Sequence, residues 1–347
     1  MDLAESYRGR RVLVTGHTGF KGSWLTWWLH RLGAEVAGYA LPPATNPSLW
    51  LALELERDIH HVQADIRNLA RLTEEIRAFR PEVVFHLAAQ ALVLPSYEHP
   101  VETFETNLMG TVNVLEACRN QPAVQAVVVV TSDKCYRQPG THPFTEEDAL
   151  GGEDPYSASK ACAEHAADAY RHSYFQNQVG IATVRAGNVI GGGDWADQRL
   201  IPDLMRALQN GQSPAVRRPE ARRPWQHVLE PLEGYLRIGV RLAEDPGRWS
   251  GPWNFGPPPN EAWTVAEVVA SCCKAWGAPG DWNRNEVPSG AEAQRLVLDS
   301  SKAREGLAWE PRWRVEEALA RSVEWYRAFG AGGSARALCD ADLEAHQ

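Results

Sequence analysis

The sequence lacks the features that mark several classes of protein. Its 347 residues include no apolar run approaching the roughly 18 residues that a membrane-spanning helix needs, so no membrane partner is predicted. It has no excess of positive charge, and the net charge of −9 argues against a general nucleic-acid binder. The six cysteines show no CxxC spacing, so neither a metal site nor a disulfide framework is predicted. A reduced, cytoplasmic protein is the simplest interpretation.

Short apolar strands alternate with helices over the first 190 residues or so. The strands are predicted at 11–15, 35–40, 61–65, 82–88 and 126–130, and in the segment IATVRAG. This alternation is typical of an α/β protein with a Rossmann-type, doubly wound parallel sheet. Beyond residue 190 glycine, proline and arginine become frequent, which predicts a smaller C-terminal α/β lobe with helices near 264–276, 301–307 and 315–329.

A glycine loop, TGHTGFKG, lies between the first strand and the first helix. Glycines let the backbone turn tightly and approach a pyrophosphate, whose charge is favoured at a helix N-terminus. The loop predicts dinucleotide binding, and the alternative is a purely structural turn. His17 is expected to be a hydrogen-bonded loop residue and not a catalytic one. The candidate cofactor-binding residues of this loop are Gly16, Thr18, Gly19, Phe20, Lys21 and Gly22.

The adenosine end of such a site normally has an acidic residue about 20 positions after the glycines. Here the second strand ends GYALPP, without an acid. No Arg or Lys occurs from Val36 to Glu56 to hold a 2′-phosphate, although Lys21 could partly substitute, so NAD is favoured over NADP. Asp65 and the adjacent Ile66, after the third strand, are the candidates to reach the adenine. The alternative for Asp65 is a solvated acid at a strand end.

Tyr156 and Lys160 are four residues apart and share one face of a predicted helix. An ammonium group near the phenol would lower its pKa, so that Tyr156 could take a proton from a substrate hydroxyl. The strand AVVVV ends in TSDKCY, which contains Ser132, Asp133 and Lys134. Ligands of open α/β sheets lie beyond the carboxyl ends of the strands, so these residues should face the same crevice. The alternative is that these side chains are ordinary solvent-exposed polar residues.

The chain resembles the extended short-chain dehydrogenase/reductase family, over about residues 10 to 329. Within that family it is similar to the CDP-glucose 4,6-dehydratases, through GHTGFKGSWL, TSDKCY, DPYSASK, RAGNVIGGGDW and RPWQHVLEP. The resemblance implies a tightly held NAD and conversion of CDP-D-glucose to a 4-keto-6-deoxy sugar. Hydride leaves C4 for NAD, water is lost across C5–C6, and hydride returns to C6.

The resemblance also implies a role for each candidate residue. Tyr156 deprotonates the 4-hydroxyl, Ser132 polarises the same oxygen, and Lys160 tunes Tyr156 and binds the nicotinamide ribose. Asp133 protonates the departing 6-hydroxyl, while Lys134 acts either as the C5 base or as a cation beside the enolate. A bend near Asp133 is required for both side chains to reach the sugar.

Further residues are implied on either side of the reacting centre. The residues that should flank the nicotinamide are Ala88, Ala89, Gln90 and Asn107. The alternative is that the first three only pack at a strand end and that Asn107 is an amide inside a helix. Asn188 and Arg223 match positions that hold the nucleotide diphosphate, and the alternative for Arg223 is a solvated loop. Trp225 and His227 are candidates for the same cleft, although Trp225 could equally be a core residue. One departure is that Leu94 and Pro95 stand where family members often have arginine.

The predicted organisation is an NAD-binding domain over 1–189, with segments near 225–257 returning to it. A mainly substrate-binding lobe covers 190–330, and 331–347 is expected to be a loosely held tail. A homo-oligomer, dimer or tetramer, is expected, because helices 101–119 and 156–175 commonly form the dimer interface in this family. Two other functions stay open: another NAD-dependent nucleotide-sugar 4-epimerase or 4-reductase, and a non-catalytic NAD-sensing subunit.

Overall fold

The structure is a computed structural model that describes residues 1–140, 142–176, 178–284 and 296–347. Its main sheet contains seven strands, which are β1 Arg11–Thr15, β2 Glu35–Ala40, β3 His60–Gln63, β4 Val83–His86, β5 Ala126–Val130, β6 Gly180–Ala186 and β11 Gly251–Phe255. The short strands outside it are β7 Val189–Ile190, β8 Ala215–Val216, β9 Arg222–Pro224, β10 Gln226–His227, β12 Ala262–Thr264 and β13 Asn283–Arg284.

The seven strands are all parallel, in the order β11-β6-β5-β4-β1-β2-β3. The predicted doubly wound parallel sheet is therefore confirmed. The chain order reverses between β1 and β4, which leaves a crevice beyond the carboxyl ends of these two strands. This is where an open α/β sheet binds its ligand.

Helices cover both faces of the sheet. The first are α1 Leu3–Tyr7, α2 Phe20–Arg31, α3 Leu49–Ala52, α4 Leu69–Phe79, α5 Val93–Glu98, α6 Pro100–Phe104, α7 Gly110–Cys118 and α8 Pro155–Tyr170. The later ones are α9 Leu200–Gln209, α10 Leu229–Glu244, α11 Pro246–Trp249, α12 Val265–Trp276, α13 Ser301–Leu307, α14 Val315–Gly330 and α15 Ala335–His346. Because both faces are covered, β5 is apolar throughout and buried at every residue. Among the described residues, no helix is both long and apolar enough to cross a membrane.

The chain returns to the main sheet after residue 190. Strand β11 pairs in parallel with β6, and α10 packs against β5 and β6. The remaining short strands form three two-stranded sheets, β7 with β10, β9 with β12 and β8 with β13. The segment beyond residue 190 therefore contributes both to the main sheet and to a smaller structure beside its carboxyl edge.

The prediction of a loosely held tail at 331–347 is wrong. Ser334 caps the N-terminus of α15 through its hydroxyl, which accepts from the backbone N–H of Ala337. One face of the helix, including Cys339 and Leu343, is buried in the main core. Arg336 donates to the carbonyl of Leu53, which fastens α15 to the end of α3.

Candidate active site

The glycine loop packs directly against the end of β4. Gly16 has φ of +74°, and a Cβ at this position would lie 2.5 Å from the backbone nitrogen of Ala88. Only glycine allows so close an approach together with a positive φ. The loop therefore lies at the reversal point between β1 and β4, where the sequence places a dinucleotide.

The N-terminus of α2 is shaped to receive an anion. Its N-cap is Gly19, which has no side chain with which to cap the first N–H groups of the helix. Thr18 fixes the loop from the other side, because its hydroxyl donates to the carbonyl of Leu41 at the end of β2. Open N–H groups at a helix N-terminus, next to glycines, suit a pyrophosphate. The loop histidine, His17, is buried and bonds His61 at 2.8 Å, which suits a structural role.

Lys21 does not point toward the adenosine side of the loop. Its ammonium nitrogen lies 5.9 Å from the ring centroid of Tyr235 on α10 and interacts with Asp133. The sequence-based suggestion that Lys21 could hold a 2′-phosphate is therefore wrong, since the side chain is directed into the catalytic crevice. Burial and the charge of Arg199 lower its pKa to about 8, against an opposing effect of Asp133.

The segment after β4 is braced by Asn107. This residue lies on a π-helical turn, Glu105–Met109, a distortion that is frequent at functional sites. Its side chain accepts from the backbone N–H of Gln90 and donates to the carbonyl of Gln90 and to the hydroxyl of Ser159. Asn107 thus joins the segment of Ala88, Ala89 and Gln90 to α8, beside the predicted nicotinamide position.

The catalytic loop, defined as residues 131–136, bends where β5 ends. Asp133–Cys135 forms a single 3₁₀ turn, so the predicted bend near Asp133 is confirmed. Ser132 caps this turn through its hydroxyl, which accepts from the backbone N–H of Lys134 and donates to the Asp133 carboxylate at 3.1 Å. The turn keeps these side chains on one edge of the crevice.

Asp133 is a buried acid within this loop, only 4% exposed. Burial raises its pKa above the usual carboxyl range, against the opposing charge of Lys134 and the hydrogen bond from Ser132. The protonated form that a catalytic acid needs is thereby favoured. A Cβ at Gly187 would lie 2.7 Å from the Asp133 carboxylate, so a glycine is required beside it.

Tyr156 and Lys160 lie on the buried face of α8, close to the catalytic loop. Burial raises the pKa of Tyr156 to about 12, although the Ser132 hydroxyl acts in the opposite direction. Lys160 donates to the carbonyl of Val130 at 3.1 Å, and burial lowers its pKa to about 8. The effect of Lys160 on the pKa of Tyr156 stays a prediction.

The charge of Arg199, a residue that sequence reasoning missed, opposes the effect of burial on Tyr156. Arg199 is the N-cap residue of α9, held by a 2.9 Å ion pair with Asp194, and its charge acts on both Tyr156 and Lys21. The signal in the sequence was weak, since a single arginine at a loop end is ordinary surface composition. Only the folding of the second lobe over the crevice brings it there.

The predicted diphosphate residues lie at the same edge of the sheet. Asn188 follows β6, where its carbonyl accepts from the backbone N–H of Gln226. Arg223, on β9, is 7% exposed, and its charge acts on Asp133. The solvated-loop alternative for Arg223 therefore does not fit the structure, because the side chain is buried beside the catalytic loop.

His227 and Trp225 are core residues in the structure. His227 is fully buried, 4.7 Å from the ring of Trp313, so its predicted place in the substrate cleft is wrong. Trp225 is also buried, and its indole N–H donates to the carbonyl of Trp263, which favours the core interpretation that the sequence left open.

The two adenine-side candidates follow β3. The carboxylate of Asp65 accepts from the guanidinium of Arg67 at 2.7 Å, and Ile66 is buried against Gly110. Their contact with a nucleotide stays a prediction. The described residues contain no group of three or more His, Cys, Asp or Glu that could hold a metal ion.

Known proteins resemble the chain over most of its length. The family model described as "NAD dependent epimerase/dehydratase family" matches residues 12–249. A CDP-glucose 4,6-dehydratase from Salmonella typhimurium is 48% identical over 330 residues, which cover 93% of this chain and 92% of the relative.

Two solved structures share the fold. A dTDP-glucose 4,6-dehydratase from Streptomyces venezuelae, determined with NAD bound, has a TM-score of 0.81 at 26% identity and covers 94% of this chain and 99% of its own. A UDP-glucose 4-epimerase from Thermus thermophilus, in complex with NAD, has a TM-score of 0.78 at 27% identity and covers 91% and 99%.

Proposed function

The chain belongs to the NAD dependent epimerase/dehydratase family, and we propose that it is an NAD-dependent lyase that converts CDP-D-glucose to CDP-4-keto-6-deoxy-D-glucose. The observation that carries this proposal is the buried acid Asp133, bonded to Ser132, whose hydroxyl also acts on Tyr156. An epimerase needs a group to oxidise C4, but only a dehydratase needs an acid to release the 6-hydroxyl. The 48% identity to a CDP-glucose 4,6-dehydratase supports the same choice.

The residues of the glycine loop fit NAD. The uncapped N-terminus of α2 would hold the pyrophosphate. Because Gly16 packs closely on Ala88, backbone atoms line this part of the site. When bound, NAD supplies a hydride acceptor for C4 and later a hydride donor for C6.

Tyr156 takes the proton of the 4-hydroxyl, and Ser132 donates a hydrogen bond to the same oxygen. The phenol is neutral before substrate arrives, because burial raises its pKa to about 12. The charge of Arg199 opposes that shift and so stabilises the phenolate as the proton moves. Lys160, anchored at the Val130 carbonyl, fixes the end of β5 against α8.

Asp133 protonates the 6-hydroxyl as water leaves. Burial raises its pKa, which favours the protonated form that this step needs. Lys134 either takes the C5 proton or stabilises the enolate as a cation. Arg223 and Asn188, with Arg199, provide the polar groups that receive the diphosphate of the substrate.

Incubation of the purified protein with CDP-glucose tests the proposal. A 4-keto-6-deoxy product should appear without net consumption of NAD, and dTDP-glucose and UDP-glucose should be poorer substrates. Formation of a CDP-linked 4-epimer would instead identify an epimerase. Binding of NAD without turnover of any of these sugars would identify a non-catalytic subunit.

We also propose that the protein forms a homo-oligomer in the cytoplasm. Large apolar side chains are exposed along the surface formed by α6, α7 and the end of α8, at Val101 (70%), Met109 (47%) and Tyr174 (54%). A second copy covering this surface would remove them from water. All six cysteines are unpaired, as in a reducing compartment. Light scattering on wild type and Met109→Asp tests the oligomer, since the substitution should yield monomers.

A further inference from the structure

A buried ion pair lies directly behind the catalytic loop. Glu164 on α8 and Arg185 on β6 are each 3% exposed at the side chain. The Arg185 guanidinium donates two parallel hydrogen bonds to the Glu164 carboxylate, from Nε to Oε1 at 2.9 Å and from Nη2 to Oε2 at 2.7 Å. Such bidentate pairs fix geometry as well as charge. This pair takes no part in the reaction as described above.

Both ends of the catalytic loop are bonded to this one pair. Thr131, the first residue of the loop, donates its hydroxyl proton to Oε1 of Glu164. Tyr136, the last residue, accepts from Nη1 of Arg185 at 2.7 Å, and its hydroxyl donates to Asn254 at 2.8 Å. Ser132, Asp133 and Lys134 lie between these two anchors.

Glu164 also belongs to the helix that carries the other half of the site. Tyr156, Lys160 and Glu164 follow one another at intervals of four residues, and all three are buried on α8. The carboxylate therefore connects the residues proposed for C4 oxidation to the loop proposed for elimination.

We infer that Glu164 and Arg185 are positioning residues that set the catalytic loop against α8, so that one bound sugar meets both halves of the site. This inference rests on the proposed function for its kinetic part. A buried ion pair stabilises a fold little compared with apolar packing. Fixing the position of the catalytic loop against α8 therefore explains the presence of this pair better than stability does. Arg185 fixes the Glu164 carboxylate through its two parallel hydrogen bonds, and Thr131 and Thr183 each donate one further bond to it.

Thr131 and Thr183 provide a matched comparison. Both are 5% exposed, and each donates its hydroxyl proton to Glu164, but only Thr131 belongs to the catalytic loop. Thr131→Val and Thr183→Val remove the same chemical group at the same carboxylate. If the pair only stabilises the fold, the two variants should behave alike.

The kinetic test separates kcat from KM in the two variants. Thr131→Val should lower kcat for dehydration by about ten- to a hundredfold with KM for CDP-glucose nearly unchanged, because a small displacement of catalytic groups has effects of this size. It should accumulate NADH and exchange little solvent deuterium into C5. Thr183→Val should keep wild-type turnover. Equal losses in both variants, with no difference in NADH accumulation, would overturn the inference.

A second measurement does not depend on the reaction. Amide hydrogen exchange across residues 131–136 should be faster in Thr131→Val and in Tyr136→Phe than in wild type, and unchanged in Thr183→Val. Unchanged exchange in the first two variants would also overturn the inference. If wild type forms no 4-keto product, the proposed function fails while the exchange result still decides the positioning role.

Discussion

At the scale of single residues, the site favours neutral groups before substrate binds. Burial raises the pKa of Asp133 and raises that of Tyr156 to about 12, so in both groups the protonated form is favoured relative to its ordinary state. The same cause lowers the pKa of Lys160 and of Lys21 to about 8. Burial therefore favours the acid form that elimination requires of Asp133, while the charge of Arg199 favours release of the phenol proton.

Replacing Tyr156 removes the acid/base group and keeps the ring. Tyr156→Phe should lower kcat by roughly 10²–10⁴, the usual contribution of one such group. The exposed Tyr174 is the control, since Tyr174→Phe should leave kcat unchanged. Steady-state turnover of CDP-glucose measures both variants, and near-native activity of Tyr156→Phe would reject the assignment.

Replacing Lys134 should separate oxidation from elimination. Lys134→Met removes the cation beside Asp133 but leaves Ser132 and Tyr156 in place. The variant should still oxidise C4, so NADH absorbance should appear in a single turnover and persist. Solvent deuterium should enter C5 far more slowly than in wild type. Normal dehydration with full exchange at C5 would mean that Lys134 is ordinary surface charge.

The buried Arg223 should matter more for substrate binding than the more exposed Arg217. A lost charge-assisted contact of about 1.5–3 kcal/mol corresponds to roughly a 10- to 150-fold rise in KM for Arg223→Ala. Arg217 donates to the carbonyl of Gln198, and Arg217→Ala should change KM little. Similar small effects in both variants would contradict the diphosphate role.

At the scale of helices and strands, segments with a regular apolar pattern are predicted well from the sequence. A helix whose buried face carries both apolar and polar side chains is predicted poorly. Strands β1, β2 and β5 have the predicted bounds, because each is a short, mostly apolar run. Helix α15 was missed because its buried face mixes apolar side chains with Asp342 and His346. Its start also resembles a flexible linker, since Gly332 and Gly333 precede the capping serine.

The polar part of that face gives the helix a pH dependence. Asp342 lies 3.3 Å from Arg321 and 4.0 Å from His227, yet burial raises its pKa to about 6. The folded state then binds more protons than the unfolded state, whose Asp has a pKa of about 3.9. The stabilisation that results is complete below about pH 3.9 and disappears as the pH rises to about 6. The free energy of unfolding falls by at most about 3 kcal/mol over this range.

Replacement of Asp342 tests this dependence. Asp342→Asn should flatten the change in unfolding free energy between about pH 4 and about pH 6. Denaturant unfolding at several pH values measures the slope. Asp340→Asn is the control: it removes a half-buried carboxylate of α15 that pairs with Arg31 of α2, and it should leave the slope unchanged. An unchanged slope in Asp342→Asn would contradict the assignment.

At the scale of the whole molecule, the parallel sheet and its reversal point followed from the alternation of strands and helices. The glycine loop, TSDKCY and the Tyr156–Lys160 spacing are local in sequence, so their place at the carboxyl edge could be predicted. The return of a segment near 225–257 to the first domain was also predicted, and β11 lies within it. The direction of Lys21 and the approach of Arg199 could not be predicted, because each depends on where a distant segment folds back. The wrong assignment of His227 has the same cause, since Trp313 and α15 bury it.

Cofactor preference should be visible in the stability of the whole protein. Neither the segment from Val36 to Glu56 nor the side chain of Lys21 offers a cation to a 2′-phosphate. NAD should therefore raise the melting temperature of the apoprotein more than NADP at equal concentration, since stabilisation grows with ligand affinity. Calorimetry of the two titrations measures this, and an equal or reversed order would contradict it.

The contact of α15 with α2 has a consequence for folding during biosynthesis. Asp340 accepts from the indole of Trp27, and His346 packs against the ring of Trp28, both on α2. The ribosome makes α15 about 300 residues after α2. Over that interval the nascent chain carries an uncovered tryptophan surface, which is the kind of surface that chaperones protect.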